Sequence, residues 1–329
     1  STFSVAVGVN AMRDATDGAE TTAIGYASLT SNTGSYNTGV GGESLLNNTS
    51  GGLNTAIGMS ALRSNTTASN NTAVGYAAMY DNTTGQFNLA SGYLALENNT
   101  TGSYNTALGA YALDGNTTAS NNTAVGYGAA YSNVTGASIT AVGYAALYNN
   151  TASNNTAVGV SAGNANTSGS ENTFIGRSAA QLNTTGANNV ALGYAALYTN
   201  TTGYNQTALG FQAMYSSTTG YRNTAVGCQA GYSITDGTGQ VAMGDRALYT
   251  NTGNFNTALG SLALYSNTTA SYNTAVGYQA GYSNTTGSVT AFGYQALYSN
   301  TTAQYSTAVG AVAAKYNTTG RVDAFGSFV

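Results

Sequence analysis

The sequence predicts an all-β fold, a parallel β-solenoid or β-roll of about 20 coils, in a single repeat domain spanning residues 1–329. The first observation is a phrase close to Asn-Thr-Ala-Val-Gly, which occurs 20 times. Of the 19 intervals between its glycines, 14 are 17 residues long and five are 16. A short, fixed period is typical of solenoids, in which each repeat contacts only its neighbours. The second observation is that hydrophobic residues, 42% of the chain, keep fixed positions in the repeat, which argues against a disordered low-complexity chain.

The first element of each repeat is a short strand that ends at the glycine, which we number as position 0. Position −2 is Ala in 18 repeats, and position −1 is nearly always a larger apolar residue. Because neighbouring positions of a strand point to opposite faces, this pattern predicts a strand buried on both faces. Ala would fill a narrow interior, and a second apolar layer would cover the other face. Thr at position −3 is expected to form a structural row, which includes Thr72, Thr106, Thr123, Thr224 and Thr274.

The second element follows the glycine and typically has the sequence Tyr-x-Ala-Leu-Tyr-x-Asn. The pattern fits a second short strand, or a short helical turn in each coil, although seven residues are too few for a stable isolated helix. Tyr is the commonest residue at position +5, and it is enriched where one side of a surface is apolar and the other is wet. The tyrosines are therefore candidates for packing within the chain or between copies, or for stacking on sugars. The candidate interface residues are Tyr148, Tyr198, Tyr249 and Tyr298.

The third element is a polar turn that begins with Asn at position +7 and Thr at position +8. Stacked Asn side chains can hydrogen-bond from coil to coil, as in cross-β structures, so this row is predicted to be a structural ladder. Its Asn-x-Thr sequences would be glycan acceptors in a secreted eukaryotic protein, and we favour the ladder. The ladder residues include Asn65, Asn82, Asn116, Asn183, Asn267 and Asn284.

Composition excludes several classes of function. The chain has no His and one Cys, and only 5% of its residues are charged, so we expect no catalytic, cofactor or metal site and no enzymatic activity. The formal charge of −4 provides no basic stripe for nucleic acid. The chain contains no run of 18 apolar residues, so the sequence predicts no membrane span. The acidic cluster of Asp14, Asp17 and Glu20 could bind calcium, but a solvated terminal coil is the favoured interpretation.

The phrase Ala124-Val125-Gly126-Tyr127-Gly128-Ala129 resembles the head repeat of trimeric autotransporter adhesins. The resemblance implies a left-handed parallel β-roll with small residues inside each coil and branched residues facing a trimer axis. The longer phrase that spans residues 273–287 is similar to repeats of predicted tail-fibre proteins of marine phages. The coil is two or three residues longer here than in the adhesin repeat, and the chain carries no coiled-coil stalk.

These features favour a structural fibre protein, such as a phage tail fibre, an adhesin or a surface filament, outside the cell, on its surface or on a virion. Such a protein would self-assemble, as a trimer or a head-to-tail filament, and present a repetitive surface for attachment, with cell-surface glycans as a further partner. The alternative is a carbohydrate-binding or ice-binding β-solenoid. The Thr row at position −3 supplies one regular column for ice, but the adjacent Asn points to the opposite face.

The ends of the array predict stacking on other copies, or continuation in a longer fibre, because both stop without a capping element. Asp14, Asp17 and Glu20 give the first coils an acidic bias, whereas Lys315 and Arg321 lie in the last full repeat. Opposite charges at the two ends would favour head-to-tail contacts, by an amount that salt screens.

Overall fold

The computed structural model describes residues 3–16 and 19–328, which form two compact units, Ser1–Thr167 and Ser168–Val329. Each unit is a parallel β-solenoid, so the predicted fold class is confirmed. The structure assigns no helix to the described residues, and none of them could therefore provide a helical membrane span.

Each unit contributes ten strands, one per coil. In the first unit they are β1 (Val5–Val7), β2 (Thr22–Ile24), β3 (Thr38–Val40), β4 (Thr55–Ile57), β5 (Thr72–Val74), β6 (Leu89–Ser91), β7 (Thr106–Leu108), β8 (Thr123–Val125), β9 (Thr140–Val142) and β10 (Thr156–Val158). In the second they are β11 (Thr173–Ile175), β12 (Val190–Leu192), β13 (Thr207–Leu209), β14 (Thr224–Val226), β15 (Val241–Met243), β16 (Thr257–Leu259), β17 (Thr274–Val276), β18 (Val289–Phe292), β19 (Ser306–Val309) and β20 (Asp323–Phe325).

Within each unit, successive strands pair in parallel at the register of the sequence repeat. Ala73 of β5, for example, lies opposite Ala90 of β6. Equivalent positions therefore form straight columns from coil to coil, about 4.8 Å apart. These columns form the surfaces of each unit.

The interior of each coil is narrow and lined by Ala at positions −2 and +3 and by a larger apolar residue at +4. Ala73, Ala78 and Met79 occupy these positions in one coil, and each is fully buried. This confirms the predicted Ala-lined interior; in one coil Phe174 replaces Ala at position −2 and is also fully buried.

One departure from this pattern shows how tightly the interior is filled. Gly39 replaces Ala at position −2, and Ser28 and Ser44 replace Ala at +3. The two serine hydroxyls lie 2.8 Å apart, and Ser28 also donates to the Gly39 carbonyl. A Cβ on Gly39 would lie 2.6 Å from Ser28 Oγ, so the glycine makes room for the buried hydroxyl pair.

The position-0 glycine forms a corner that no other residue fits. Gly126 has φ +129°, a conformation that L-residues rarely adopt. A Cβ at this site would also lie 2.6 Å from the carbonyl oxygen of Gly143 in the next coil. Both the backbone conformation and the close approach of the coils therefore require glycine.

The segment after the corner forms turns, so neither of the two alternatives left open by the sequence, a second short strand or a short helical turn, is present in the described coils. Positions +2 and +4 both have positive φ, as in Ala77 (+51°) and Met79 (+53°). The Ala77 amide donates to Met59 in the preceding coil, and the Met79 amide donates to Ala95 in the following coil. The +2 and +4 amides thus bond to the two neighbouring coils, and the Ala78 amide between them closes a turn on the Gly75 carbonyl (3.5 Å). A helix would instead bond successive amides to carbonyls four residues earlier.

The prediction that the strands are buried on both faces was also wrong. Position −1 points away from the interior and remains exposed, with Ile57 at 42% and Val74 at 36%. The single chain provides no second apolar layer over this row within the described residues. Alternation of the strand fixes the direction of the side chain, but it does not supply a cover for it.

Candidate interaction surfaces

The exposed residues at positions −1 and +1 flank the glycine corner and form two apolar rows, which we call the apolar strip. At position +1, Tyr76 and Tyr93 stack with ring centroids 5.4 Å apart, and Tyr127 and Tyr144 are 5.5 Å apart. These four rings are 47–57% exposed. The second unit has its own apolar strip at the same positions, which includes Leu192, Tyr194, Leu209, Phe211, Leu259, Tyr278, Phe292 and Tyr294.

The Thr row at position −3 borders the apolar strip. Its members are half-buried, and backbone pairing aligns them, as for Thr106 and Thr123 or Thr257 and Thr274. Thr72 and Thr224 occupy the same position in β5 and β14. In the described part of the chain, the hydroxyls of this row do not bond to one another, so the row presents free hydroxyl and methyl groups at regular spacing.

The Asn row at position +7 is a buried column of hydrogen bonds. Asn82 Nδ2 donates to Asn65 Oδ1 (2.9 Å) and to the Gly85 carbonyl of its own turn (3.0 Å). Asn99 and Asn116 extend the column in the first unit. Corresponding bonds in the second unit join Asn200 to Asn183 and Asn284 to Asn267. Each amide thereby ties two coils together and closes the turn of its own coil.

A second Asn column, at position −4, was missed by the sequence analysis. The Asn71 amide donates to Asn54 Oδ1 (3.0 Å), and Asn71 Nδ2 donates to the Gly85 carbonyl (2.8 Å). Asn occurs at this position in 12 repeats, and this frequency was the signal in the sequence for a second column. The alternation of strand faces does not show that the partner of each Asn is a backbone amide.

The +7 column is interrupted by Ser217 and Ile234. Beside Ser217, the longer side chain of Gln206 restores the hydrogen bonds. Gln206 replaces Asn at position −4, where it donates to Asn200 Oδ1 and accepts from Ser217 Oγ, both at 2.9 Å. Ile234 lies beside Gly231, where a Cβ would approach its Cδ1 to 2.7 Å. The interior therefore tolerates a substitution when a neighbour compensates for its size or polarity.

Burial also limits what the sequons can do. Asn65 and Asn82 are fully buried, and their Nδ2 atoms, which would carry a glycan, donate hydrogen bonds inside the turn. Glycosylation at either site would require the turn to open.

The tyrosines at position +5 stack into a column in the second unit and as a pair in the first. In the second unit, seven rings run continuously from Tyr198 to Tyr298 and include Tyr249, with centroid separations of 5.1–5.2 Å. In the first unit, Tyr131 and Tyr148 are 4.9 Å apart. The faces of the stacked rings cover one another, so the column presents edges and hydroxyls to solvent. The rings within this column therefore offer no open face for a sugar.

Two carboxyl groups replace tyrosine in the +5 column of the first unit. Glu97 and Asp114 occupy adjacent coils, and Asp114 is only 8% exposed. Its Oδ1 atom is buried and has no hydrogen-bond partner among the described residues. Burial, and then the negative charge of Glu97, raises the pKa of Asp114 to about 7.

Of the charged residues considered for end-to-end contacts that the structure describes, Lys315 is half-buried and the others are exposed, and some are paired within their own ends. Asp14 forms an ion pair with Arg13 (2.8 Å), and Arg321 with Asp323 (3.5 Å). Lys315 lies over the Tyr298 ring. Glu20 is exposed, and Asp17 lies outside the described residues. The local ion pairs reduce the charge difference between the ends.

The described residues contain no group of three His, Cys, Asp or Glu side chains that could hold a metal ion. Cys228 is an exposed free thiol at position +1. In comparisons with known proteins, no family model matches the chain and no curated protein is similar to it in sequence.

Proposed function

We propose that this chain is a structural fibre protein that associates with other copies of itself and presents a repetitive surface for attachment outside the cell or on a virion. The observation that carries the proposal is the apolar strip. Monomeric proteins rarely leave a contiguous apolar surface of this size in water, and such a surface is typical of protein interfaces. The repeated coils supply length and stiffness.

The size of the strip is sufficient for a stable interface. Tyr26, Tyr76, Tyr93, Tyr127 and Tyr144 are each about half exposed. Half of an aromatic side chain corresponds to ~100 Å², so these five rings provide roughly 500 Å². The aliphatic row at position −1 brings the first unit toward the ~800 Å² per partner of a typical specific interface. A second copy of the same chain presents a matching strip at the same coil spacing.

Sedimentation velocity of the full chain at micromolar concentration tests the proposal, with electron microscopy to measure mass per unit length. We expect a species of at least two chains. A variant with Ile57→Lys and Val74→Lys should shift the distribution toward monomer, since two charges would be buried at the contact.

The matched control carries Asn149→Lys and Thr135→Lys, two exposed positions outside the strip. This variant should associate like the wild type. A wild-type chain that remains monomeric, or a control that dissociates as much as the strip variant, would contradict the proposal.

Ice binding is a second candidate, favoured by the aligned free hydroxyls and methyl groups of the Thr row. The row on the same outward face, position −1, is aliphatic, so the face has one Thr column beside one apolar column. Thermal hysteresis of the wild type, lost in a variant with Thr106→Glu and Thr123→Glu, would support this function. Freezing without hysteresis at high micromolar protein would eliminate it.

A further inference from the structure

The outer corner of the coil, at position −5, carries a third set of aromatic residues, separate from the apolar strip and from the +5 column. Where neighbouring coils both have an aromatic residue here, the rings stack and cover each other. Phe87 and Tyr104 are 5.2 Å apart with an interplanar angle of 1°, and Phe255 and Tyr272 are 5.4 Å apart.

This stacking is interrupted at Ser288. The repeat that contains it is 16 residues long, and the shorter connection continues directly into the four-residue strand β18. Tyr272 precedes the gap and Tyr305 follows it, and each side chain is 72% exposed. Phe255 covers one face of Tyr272, so the opposite face is directed toward the coil of Ser288.

The gap is a cleft of about 500 Å³ between the two tyrosines. Thr290 and Thr307, which pair in register on β18 and β19, line it together with Ser288. Ser288 Oγ donates to the Ser271 carbonyl (3.2 Å), which fixes the hydroxyl and leaves its lone pairs as acceptors. The cleft therefore combines two aromatic walls with a floor of hydroxyl groups.

We propose that this cleft binds one pyranose unit of a glycan, with the sugar ring between Tyr272 and Tyr305. The tyrosines are two coils apart, which corresponds to roughly 9.6 Å. A flat aromatic ligand in contact with both would require only about 7–8 Å, at 3.5–4.0 Å per face. A chair-shaped pyranose is thicker and presents C–H groups to both electron-rich ring faces. Its hydroxyls reach the Thr and Ser hydroxyls of the floor, as expected for a site with apolar walls and a few polar groups.

The inference deepens the attachment role proposed above and rests on it for the choice of ligand class. The tyrosine walls of the cleft lie at position −5, outside the apolar strip at −1 and +1, so sugar binding and self-association can be measured separately. Loss of sugar binding would leave the fibre role intact, and a monomeric chain would leave the cleft intact.

Saturation-transfer difference NMR on the full chain tests the site, with methyl mannoside, methyl glucoside, methyl galactoside and N-acetylglucosamine as probes. We expect at least one to bind with a Kd of about 1 mM, since a single sugar makes few contacts. Its C–H protons should shift upfield, because they would lie over two aromatic rings. Tyr305→Ala should weaken binding roughly 3- to 10-fold, whereas Tyr305→Phe should retain it.

Ser288→Tyr should abolish binding, because the new ring would occupy the cleft. The matched control is Ser138→Tyr, which adds the same ring at the exposed −5 position of a coil whose neighbours carry Asn121 and Asn154. The control should bind like the wild type, and sedimentation of all variants should be unchanged. Thr290→Val combined with Thr307→Val removes the floor hydroxyls at nearly constant volume and should weaken binding while preserving thermal stability.

Three results would overturn the proposal. The first is no binding of any of the four sugars. The second is binding that persists in Ser288→Tyr, which would place the ligand elsewhere. The third is equal loss of binding in Ser288→Tyr and Ser138→Tyr at unchanged thermal stability, which would mean that the cleft is not the site.

Discussion

Two buried asparagines per coil satisfy the backbone groups of a turn that has no helix and little strand. The +7 residue, such as Asn82, bonds to the same residue of the preceding coil and to its own turn. The −4 residue, such as Asn71, accepts from the backbone amide of the equivalent residue in the next coil, here Asn88. Where Gln206 and Ser217 replace the two asparagines, their side chains bond to each other.

Asn82→Ala should lower the free energy of unfolding by about 2–3 kcal/mol. The substitution removes the acceptor of Asn99 Nδ2 (2.8 Å) and the donor to the Gly85 carbonyl, all in a fully buried turn. Urea unfolding followed by circular dichroism measures the change. The control is Asn149→Ala at an exposed site, where the effect should stay within about 0.5 kcal/mol. Equal effects of the two changes would contradict the ladder role.

The carboxyl pair predicts a stability that falls as the pH rises. The pKa of Asp114 is about 7 in the folded chain, above its ordinary value of 3.8, so the folded state holds a proton that the unfolded state releases. The free energy of unfolding should therefore decrease between about pH 4 and pH 7 and level off above. Asp114→Asn should remove this dependence and stabilise the protein at pH 8 by about 2 kcal/mol.

Glu97→Gln provides the paired test, because it removes the neighbouring charge while Asp114 stays buried. It should reduce the pH dependence only in part, since burial is the larger cause of the raised pKa. Thermal unfolding from pH 4 to pH 8 measures both variants. Identical profiles for the wild type and Asp114→Asn would contradict this assignment.

At the scale of the element, the coil is defined by its glycine corner and by the alternating segment that follows. The three-residue strand is too short to be stable alone. Its register is fixed by pairing with the equivalent strands of the two neighbouring coils. The +2 and +4 residues adopt positive φ although most are not glycine, as in Ala77 and Met79. Bonds to both neighbouring coils offset this strain.

Gly126→Ala should destabilise the first unit by about 3 kcal/mol or more. Alanine at φ +129° is strained, and its Cβ would collide with the Gly143 carbonyl of the next coil. Gly42→Ala is the matched control, since nothing lies within 4 Å of a Cβ there. It should be neutral, or stabilising by up to about 1 kcal/mol. Thermal unfolding that ranks the two variants in the opposite order would refute the corner argument.

At the scale of the whole molecule, the proposed self-association rests on two exposed apolar rows in a chain with few charges. Association through the apolar strip should respond differently to salt from association through the charged ends. Apolar contacts strengthen in sulfate and weaken on cooling, whereas exposed ion pairs weaken in any salt.

We therefore expect the association constant to change little between 0.05 and 0.5 M sodium chloride, concentrations across which exposed charges become well screened. Ammonium sulfate should raise it, and cooling should lower it. Sedimentation equilibrium at several temperatures measures these effects. A marked loss of association in sodium chloride would instead favour end-to-end contacts that involve Asp14, Glu20, Lys315 and Arg321.

The sequence predicted the period, the strands, the Ala interior and the column at position +7, because each depends on identity at a fixed spacing. It failed for the segment after the glycine, since Ala-Leu-Tyr has a helix-compatible composition and the bonds to neighbouring coils are invisible in one repeat. It also could not place the cleft at Ser288, because the cleft arises from a one-residue deletion between two tyrosines that are 33 residues apart.

The sequence by itself determined that the chain folds as a parallel solenoid, because a 16–17-residue repeat of small, apolar and amide residues can bury itself only against its own neighbours. Only the tertiary structure decided which rows are covered. It buried both Asn columns, closed the faces of the +5 tyrosines by stacking, and left positions −1 and +1 exposed. The physical reason is that alternation gives the direction of a side chain along one strand, whereas exposure depends on what the neighbouring coils place beside it.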